Sequence, residues 1–279
     1  MRVGFLRLAL PPESPPRLPL WAPAASPAVL PVRVAVAAMV SPTQTFRYYP
    51  TLFRLVAKRV GVEVELVQRK TYREVNELLR SGEVEVAWIC TGAWPELAAA
   101  KTADLLVVPV VGGKTSYRSY LVVREGSPYR QLGDLRGARI AYSDSLSLTG
   151  CRIPQLMVRD LGFAPETFFG SGFFTFSHDN SLQAVGLGLA DVAGVDSLVY
   201  DFLKAKHPDE VRGLRILAVS RDLPIPPVVV ARHVSPARMT AWKEAFLTID
   251  TAEEGKAVLA ELGIDRFVPA DPKSYEGLP

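Results

Sequence analysis

Residues 140–163 read IAYSDSLSLTGCRIPQLMVRDLGF, and within this stretch a strand pattern gives way to a helix pattern. The apolar residues before Ser143 predict a buried strand, and the apolar spacing from Ile153 to Leu161 predicts a helix. The turn between them contains more hydroxyl side chains than one helix cap requires. It either caps the helix with surplus serines or offers its hydroxyls and free N–H groups to an anion. The segment alone leaves both interpretations open. The hydroxyl residues are Ser143, Ser145, Ser147 and Thr149.

The same alternation of strand and helix patterns continues on both sides of this stretch. It predicts an α/β fold with a mostly parallel sheet. Gly112 and Gly113 loosen the chain before a second set of alternating elements, and LPIPPVVV at 223–230 suggests a second crossing. We therefore expect two lobes joined by two crossings. Lobe 1 would comprise residues 31–117 and 226–279, and lobe 2 would comprise residues 118–225.

The N-terminal stretch differs from the rest of the chain. Residues 1–30 are rich in proline, and we expect an irregular lead segment there. Small residues near its end suit a signal peptidase, but Arg7 and the prolines interrupt the apolar run that a secretory signal needs. We expect a periplasmic or extracytoplasmic location. No later stretch is apolar over the ~20 residues that a membrane span requires.

Composition excludes several classes of function. The 279 residues are 48% hydrophobic and 22% charged, with a formal net charge of +3. No basic run interleaved with aromatic residues is present, which argues against nucleic-acid binding. The two cysteines and three histidines do not follow zinc-ligand spacing, so we expect neither a metal nor a cofactor.

Six motifs, taken in their order and spacing, identify a family. The chain from residue 32 to about 275 resembles the substrate-binding proteins of phosphonate, phosphite and phosphate ABC transporters. The resemblance implies a two-lobe, type II periplasmic-binding-protein fold with two hinge crossings. It also implies a monomer that binds a ligand without catalysis and serves an ABC transporter permease or a sensor histidine kinase. The motifs are SPTQTFRYYPTLFRLVAKRVG, RKTYREVNELLRSGEVEVAWICTGAW, TSYRSYLVV, DSLSLTG, SHDNSLQAVGLGLADVAGVDS and LPIPPVVV.

The resemblance assigns ligand contacts to three hydroxyl and amide groups of the turn and to three ring side chains. Ser147 and Thr149 match hydroxyl donors of the family's clamp, and Leu148, which replaces a hydroxyl residue, retains its backbone N–H. His178, Tyr72 and Tyr117 match ligand-facing residues. Taken alone, a histidine at a helix start is more often satisfied by backbone groups, and a lone tyrosine is usually a rim residue.

Three further residues complete the expected site. Asp196 ends a strand, where ligands of open α/β sheets lie, although it could simply cap the next helix. If ionised, its carboxylate accepts but cannot donate, which would favour a ligand that still carries a proton. Cys90 is either a buried small hydrophobe or, as in arsenite-sensing relatives, a sulfur ligand. Thr91 beside it could add a hydroxyl donor.

Departures from the family pattern narrow the expected ligand. Aminoalkyl phosphonates need carboxylates to meet their ammonium group, and Leu198 and Pro226 occupy the two corresponding positions. We therefore expect a small tetrahedral oxyanion: phosphite, phosphate or a simple phosphonate. The alternatives are an oxyanion sensor, for example for arsenite, and an enzyme on the same fold. Enzymatic cofactor chemistry needs a placed lysine or an activated cysteine, and Lys70 and Lys114 lie in solvent-like contexts.

Overall fold

The structure, a computed structural model, describes residues 30–279, apart from the side chains of residues 42 and 46. The expected irregular segment at residues 1–30 lies almost wholly outside this range. Within the described range the strands are β1 Val32–Val36, β2 Val64–Gln68, β3 Val86–Trp88, β4 Ala103–Val110, β5 Ser116–Tyr117, β6 Ser119–Arg124, β7 Arg139–Tyr142, β8 Ser171–Phe174, β9 Val192–Asp196, β10 Leu214–Val219, β11 Leu223–Pro224, β12 Val228–Ala231 and β13 Arg266–Pro269.

The helices connect these strands in the alternating order that the sequence predicts. They are α1 Pro42–Val60, α2 Tyr72–Ser81, α3 Trp94–Ala100, α4 Ile153–Asp160, α5 Pro165–Phe168, α6 His178–Gly186, α7 Ser197–Lys206, α8 Pro236–Leu247 and α9 Glu253–Leu262. Helix α2 shows why the local sequence suffices: Thr71 and Glu74 form a reciprocal capping box, and Gly82 ends the helix in the left-handed conformation.

Two mixed sheets organise the two lobes. The first has the strand order β13-β4-β12-β3-β1-β2, and the second has the order β10-β6-β9-β7-β8. Strand β1 runs parallel to β2 and β3, whereas β12 and β13 are antiparallel to their neighbours. In the second sheet β7 is parallel to β8 and β9, whereas β6 and β10 are antiparallel.

The expectation of mostly parallel sheets is therefore wrong. The first strand after each crossing, β6 in the second sheet and β12 in the first, runs antiparallel to both of its neighbours. All strands of the first sheet fall within residues 31–117 and 226–279, and those of the second fall within 118–225. We propose these ranges as the two lobes.

The two crossings pair with each other. Strands β5 and β11 form an antiparallel two-stranded ribbon in which Tyr117 is opposite Leu223. The ribbon lies between the two sheets in the chain order, so Tyr117 is carried by the hinge itself. Each sheet has its own apolar core, and that of the first includes the fully buried Trp242, Phe53 and Phe246.

Candidate functional site

The hydroxyl-rich turn is capped by only one of its hydroxyls. Ser147 precedes a single π-helical turn at Leu148–Arg152, and its Oγ accepts a hydrogen bond of 2.9 Å from the Gly150 N–H. The chain continues directly into α4. Ser143 and Thr149 take no part in this cap, although both are fully buried. The surplus hydroxyls therefore serve a purpose other than starting the helix.

Three polar side chains converge on the α-carbon of Gly150. A Cβ atom placed there would lie 2.0 Å from Ser143 Oγ, 2.8 Å from His178 Cε1 and 2.9 Å from Ser147 Oγ. A side chain at position 150 would therefore force Ser143, His178 and Ser147 to move. Glycine thus allows the turn to approach the start of α6, where His178 is the first residue.

The hydrogen bonds of His178 determine which ring nitrogen carries the proton. Its backbone N–H donates to the carbonyl of Met39 at 3.0 Å. Its Nδ1 accepts a hydrogen bond of 3.1 Å from the backbone N–H of Asp196. Burial lowers the pKa of the ring to about 3, so the imidazole is neutral at physiological pH. A neutral ring whose Nδ1 accepts must carry its proton on Nε2.

Two tyrosines reach the same region from the first lobe and from the hinge. Tyr72 is the first residue of α2 and Tyr117 lies in β5, and both are almost completely buried. Burial raises the pKa of each hydroxyl well above its ordinary value, and the next largest cause in both cases is the nearby Cys90 sulfur. The Thr91 and Thr149 hydroxyls lie beside that of Tyr117. Both tyrosines therefore stay protonated and able to donate.

Five buried polar atoms of this region make no hydrogen bond within residues 30–279. All five belong to groups that carry a proton to donate, and they come from both lobes and the hinge. A buried polar group without a partner costs about 1–3 kcal/mol, so native proteins leave only a few of them. Five in one region, all able to donate, suit a bound acceptor. They are the hydroxyls of Tyr72, Tyr117, Ser143 and Thr149 and Nε2 of His178.

Asp196 borders these five donors, which we call the donor set, and the pKa of its carboxyl group is shifted. Its Oδ1 accepts a hydrogen bond of 2.7 Å from the Leu198 N–H, so it does cap α7. Burial raises its pKa to about 7, and its charge contributes to raising the pKa of both Tyr72 and Tyr117. The expected preference for a protonated ligand applies only to the ionised form of Asp196, and near neutral pH that form is only part of the population. Near neutral pH Asp196 can hold a proton and donate it.

A second carboxylate joins the two lobes. Asp144 Oδ1 accepts from the Leu146 N–H at 2.7 Å, and its Oδ2 accepts from the Tyr72 N–H at 3.1 Å. Asp144 therefore binds the first turn of α2 in the opposite lobe and holds the backbone of Tyr72 in place. Sequence reasoning missed both Asp144 and Ser143 as site residues. Both residues lie in the hydroxyl-rich turn that the sequence analysis identified. The sequence of the turn, however, does not show that Asp144 contacts the other lobe.

Thr91, Leu148 and Cys90 each interact with groups of the protein itself. The Thr91 hydroxyl donates to the carbonyl of Pro224 at 2.9 Å, so Thr91 does not add the expected donor. The N–H groups of Leu148 and Gly92 lie close to the Cys90 sulfur and lower the pKa of its thiol, but burial outweighs them and raises that pKa to about 12. Cys90 is therefore a neutral thiol beside the two tyrosines.

Other kinds of site find no support in the described part of the chain. Among residues 30–279, no three histidine, cysteine or acidic side chains are grouped as metal ligands would be. None of the helices in this range combines the length and apolar character needed to cross a bilayer. The donor set contains no arginine or lysine, so it offers directed hydrogen bonds from neutral groups rather than a fixed positive charge.

Two curated proteins share part of this sequence. The chain is 26% identical over 214 residues to the phosphonates-binding periplasmic protein of Escherichia coli, covering 74% of this chain and 62% of that protein. It is 28% identical over 153 residues to the phosphate-import protein PhnD of Mycolicibacterium smegmatis, covering 51% of this chain and 48% of that protein. The chain thus spans between about half and two thirds of the length of these curated relatives.

Solved structures share the fold at low sequence identity. The binding protein component of an ABC phosphonate transporter from Pseudomonas aeruginosa superposes with a TM-score of 0.82 at 20% identity, covering 88% of this chain and 82% of that one. PhnD1 of Prochlorococcus marinus in complex with methylphosphonate gives 0.79 at 16% identity, covering 88% and 94%. An ancestral arginine-binding protein gives 0.59 at 16% identity, covering 83% and 97%. The fold is therefore that of type II periplasmic binding proteins.

A family model matches most of the chain. It spans residues 34–275 and is described as the periplasmic substrate-binding protein of phosphonate ABC transporters. The match contains the hydroxyl-rich turn, both tyrosines and His178. The chain belongs to this family of phosphonate-binding periplasmic substrate-binding proteins.

Proposed function

We propose that this protein captures a small tetrahedral oxyanion between its two lobes and presents it to an ABC transporter without altering it chemically. Phosphite, phosphate and simple phosphonates are the candidate ligands. A curated relative is named for phosphate import, and a structural neighbour holds methylphosphonate. An extracytoplasmic location and a monomeric state are part of this proposal.

The five unpartnered donors are the observation that carries the proposal. Removing an anion from water is costly unless donors replace its hydration. Each hydrogen bond to a charged acceptor contributes about 1.5–3 kcal/mol. A tetrahedral oxyanion has several oxygens directed to different sides, and it therefore suits donors that approach from two lobes and a hinge.

The position of Asp196 favours one proton shared between the protein and the ligand. A carboxylate there accepts a hydrogen bond from a singly protonated anion, whereas a protonated Asp196 donates to the doubly charged form. With its pKa raised to about 7, Asp196 permits either arrangement near neutral pH. An anion that is fully ionised facing an ionised Asp196 is disfavoured by like-charge repulsion.

A thermal-shift and calorimetry panel tests the proposal. The ligands are phosphite, phosphate, methylphosphonate and arsenite, with sulfate as the tetrahedral anion that carries no proton at neutral pH. A ligand at a hundred times its Kd adds about 2.7 kcal/mol to the free energy of unfolding. We expect one or more of the phosphorus anions to do so and sulfate to have little effect. The absence of a shift with every phosphorus anion would contradict the proposal.

The position of Cys90 favours a second candidate, a sensor of a thiophilic oxyanion such as arsenite that acts on a histidine kinase. The thiol lies beside the Tyr72 and Tyr117 hydroxyls. Arsenite, as arsenous acid, can exchange one hydroxyl group for the sulfur: an As–S bond forms, one As–O bond breaks, and the displaced hydroxyl leaves as water with the thiol proton. Cys90→Ser separates the two candidates. Loss of arsenite binding with phosphite and phosphate ineffective in the wild type would select the sensor, whereas retained phosphorus-anion binding in the variant selects the transporter function.

The proposed partner and location can be tested separately. Stimulation of the ATPase activity of a reconstituted ABC permease by the ligand-bound protein would support transport. Fusion of residues 1–30 to a reporter that is active only outside the cytoplasm tests export. Size-exclusion chromatography with light scattering tests the monomeric state.

A further inference from the structure

A cation–π contact joins the two chain segments that carry Tyr72 and His178 of the donor set. The Nζ atom of Lys70 lies 4.1 Å from the centre of the Phe176 ring. Lys70 stands two residues before Tyr72, at the start of α2, and Phe176 stands two residues before His178, at the start of α6. Helix α2 packs on the first sheet and α6 on the second. The contact therefore bridges the two proposed lobes.

The two residues of this contact lie at the solvent edge of the donor set. Tyr72 and His178 are 1% and 0% exposed, whereas Lys70 is exposed and Phe176 is partly exposed. Two residues of fully extended chain span at most about 7 Å. The cation and the ring therefore meet close to the buried donors, on the side that solvent can reach.

The backbone of Phe176 is held in a conformation that a bulky residue rarely adopts. Its φ is 65°, in the left-handed region. Its neighbours are both fixed: the Thr175 N–H donates to the Tyr142 carbonyl at 2.8 Å, and the Ser177 Oγ accepts from the Asn180 N–H at 3.3 Å. Such strain persists only where the surrounding structure imposes it, and it is concentrated at ligand clamps and switch regions. The ring contacts the other lobe from this imposed position.

The backbone beside Lys70 is fixed as well. Thr71 caps α2, and its N–H donates to Glu74 Oε2 at 2.8 Å. The next N–H, that of Tyr72, donates to Asp144 Oδ2 of the second lobe at 3.1 Å. This hydrogen bond and the cation–π contact both bridge the lobes, so separation of the lobes breaks them together.

We infer that Lys70 and Phe176, which we call the gate pair, are positioning residues that hold the cleft closed over the bound anion and slow its release. The inference rests on the proposed function and adds to it a control on the rate of release. A contact that exists only in the closed state shifts the open–closed equilibrium by its own free energy. For a cation–π contact at an exposed site, this corresponds to a factor of about two to five in the release rate.

Stopped-flow tryptophan fluorescence and calorimetry test the inference, with phosphite, phosphate and methylphosphonate as probes. Phe176→Leu removes the aromatic face but keeps an apolar side chain. We expect it to release the bound probe about two- to fivefold faster and to change the association rate little. Phe176→Tyr and Lys70→Arg keep both a ring and a cation, and they should release the probe at about the wild-type rate.

A second cation–π contact provides the matched control. The Arg136 guanidinium lies 5.7 Å from the centre of the Phe163 ring, and both residues belong to the second proposed lobe. This contact is not broken when the lobes separate. Arg136→Met should therefore leave the release rate unchanged, whereas Lys70→Met should raise it.

Two further measurements distinguish the gate pair from other roles of the same residues. An effect of the Lys70 charge on the approaching anion alone would slow association, depend on salt and leave release unchanged. The double variant Lys70→Met with Phe176→Leu should release the probe no faster than Phe176→Leu alone, because both substitutions remove one contact. Phe176→Asn removes the ring but tolerates a φ of 65° better, so release should be faster while the ligand-free melting temperature does not fall.

The outcomes separate this inference from the proposed function. If none of the three probes binds, the proposed function fails and the gate pair with it. If a probe binds but Phe176→Leu and Lys70→Met release it at the wild-type rate, only the present inference fails. It also fails if the two substitutions accelerate release additively, or if Arg136→Met accelerates it equally.

Discussion

Nδ1 of His178 accepts a hydrogen bond of 3.1 Å from the backbone N–H of Asp196. This bond connects the first residue of α6 to the last residue of β9, and it leaves Nε2 as the protonated nitrogen. A neutral histidine stabilises an anion through one directed N–H hydrogen bond, because its ring carries no net positive charge. The same bond holds the backbone of Asp196 beside the His178 ring.

We predict that His178→Phe weakens oxyanion binding by about 10- to 100-fold, because one hydrogen bond to a charged acceptor is lost. Calorimetry with the tightest ligand of the panel measures the change. His178→Gln retains an N–H donor and should recover part of the affinity. Equal affinities of the phenylalanine variant and the wild type would remove His178 from the site.

Tyr117→Phe should weaken binding by a similar factor while leaving the ligand-free protein as stable as before or more stable. The reason is that the hydroxyl is buried without a partner, so its removal relieves a desolvation cost. Calorimetry and thermal unfolding together measure both effects. Tyr120→Phe is the matched control, because the Tyr120 hydroxyl already donates to Asp201. A Tyr117→Phe variant that loses stability but keeps its affinity would show that the hydroxyl has a structural role.

Gly150→Ala should abolish binding and lower the melting temperature, because its Cβ would lie 2.0 Å from Ser143 Oγ. Gly186→Ala at the end of α6 is the control, since no atom lies within 4 Å of the Cβ it would add. Thermal unfolding of both variants gives the comparison. Tolerance of alanine at position 150 would mean that the turn and His178 are further apart than described.

The raised pKa of Asp196 predicts a specific pH dependence of stability. The folded state holds this proton with a pKa of about 7, whereas an unfolded aspartate has a pKa of about 3.9. The folded state therefore binds more protons between these values, and its stability falls as pH rises from about 4 to about 7. Relative to Asp196→Asn, the free energy of unfolding should fall by up to about 1 kcal/mol per pH unit in that window.

Urea unfolding of the ligand-free wild type and Asp196→Asn at several pH values measures this difference. The contribution of His178 has the opposite sign, because its pKa is lowered on folding, but it is common to both proteins and cancels. A difference that does not change between pH 4 and pH 7 would contradict the raised pKa. In the same variant, the preference among ligands of different protonation state should relax.

The local sequence was sufficient to predict that helices and strands alternate in this fold. The spacing of apolar residues predicted α4 after the hydroxyl-rich turn, and the capping box at Thr71 and the glycine at position 82 determine where α2 begins and ends. These signals act within one or two turns of chain. The direction of the strands was predicted less well, because it depends on how the chain returns to a sheet after crossing between lobes.

The sequence by itself determined the α/β alternation, the two crossings, the hydroxyl-rich turn and the order of family motifs. Only the tertiary structure decided that Ser143 joins the donor set, that Asp144 caps a helix of the other lobe and that the Thr91 proton is already used. It also decided that Leu198 lines an apolar cavity together with Tyr49 and Trp88. The physical reason is that burial and unpaired donors arise from contacts between residues far apart in the chain. The local sequence identifies the polar side chains, but the packing of the two lobes determines where these side chains point and how their pKa values shift.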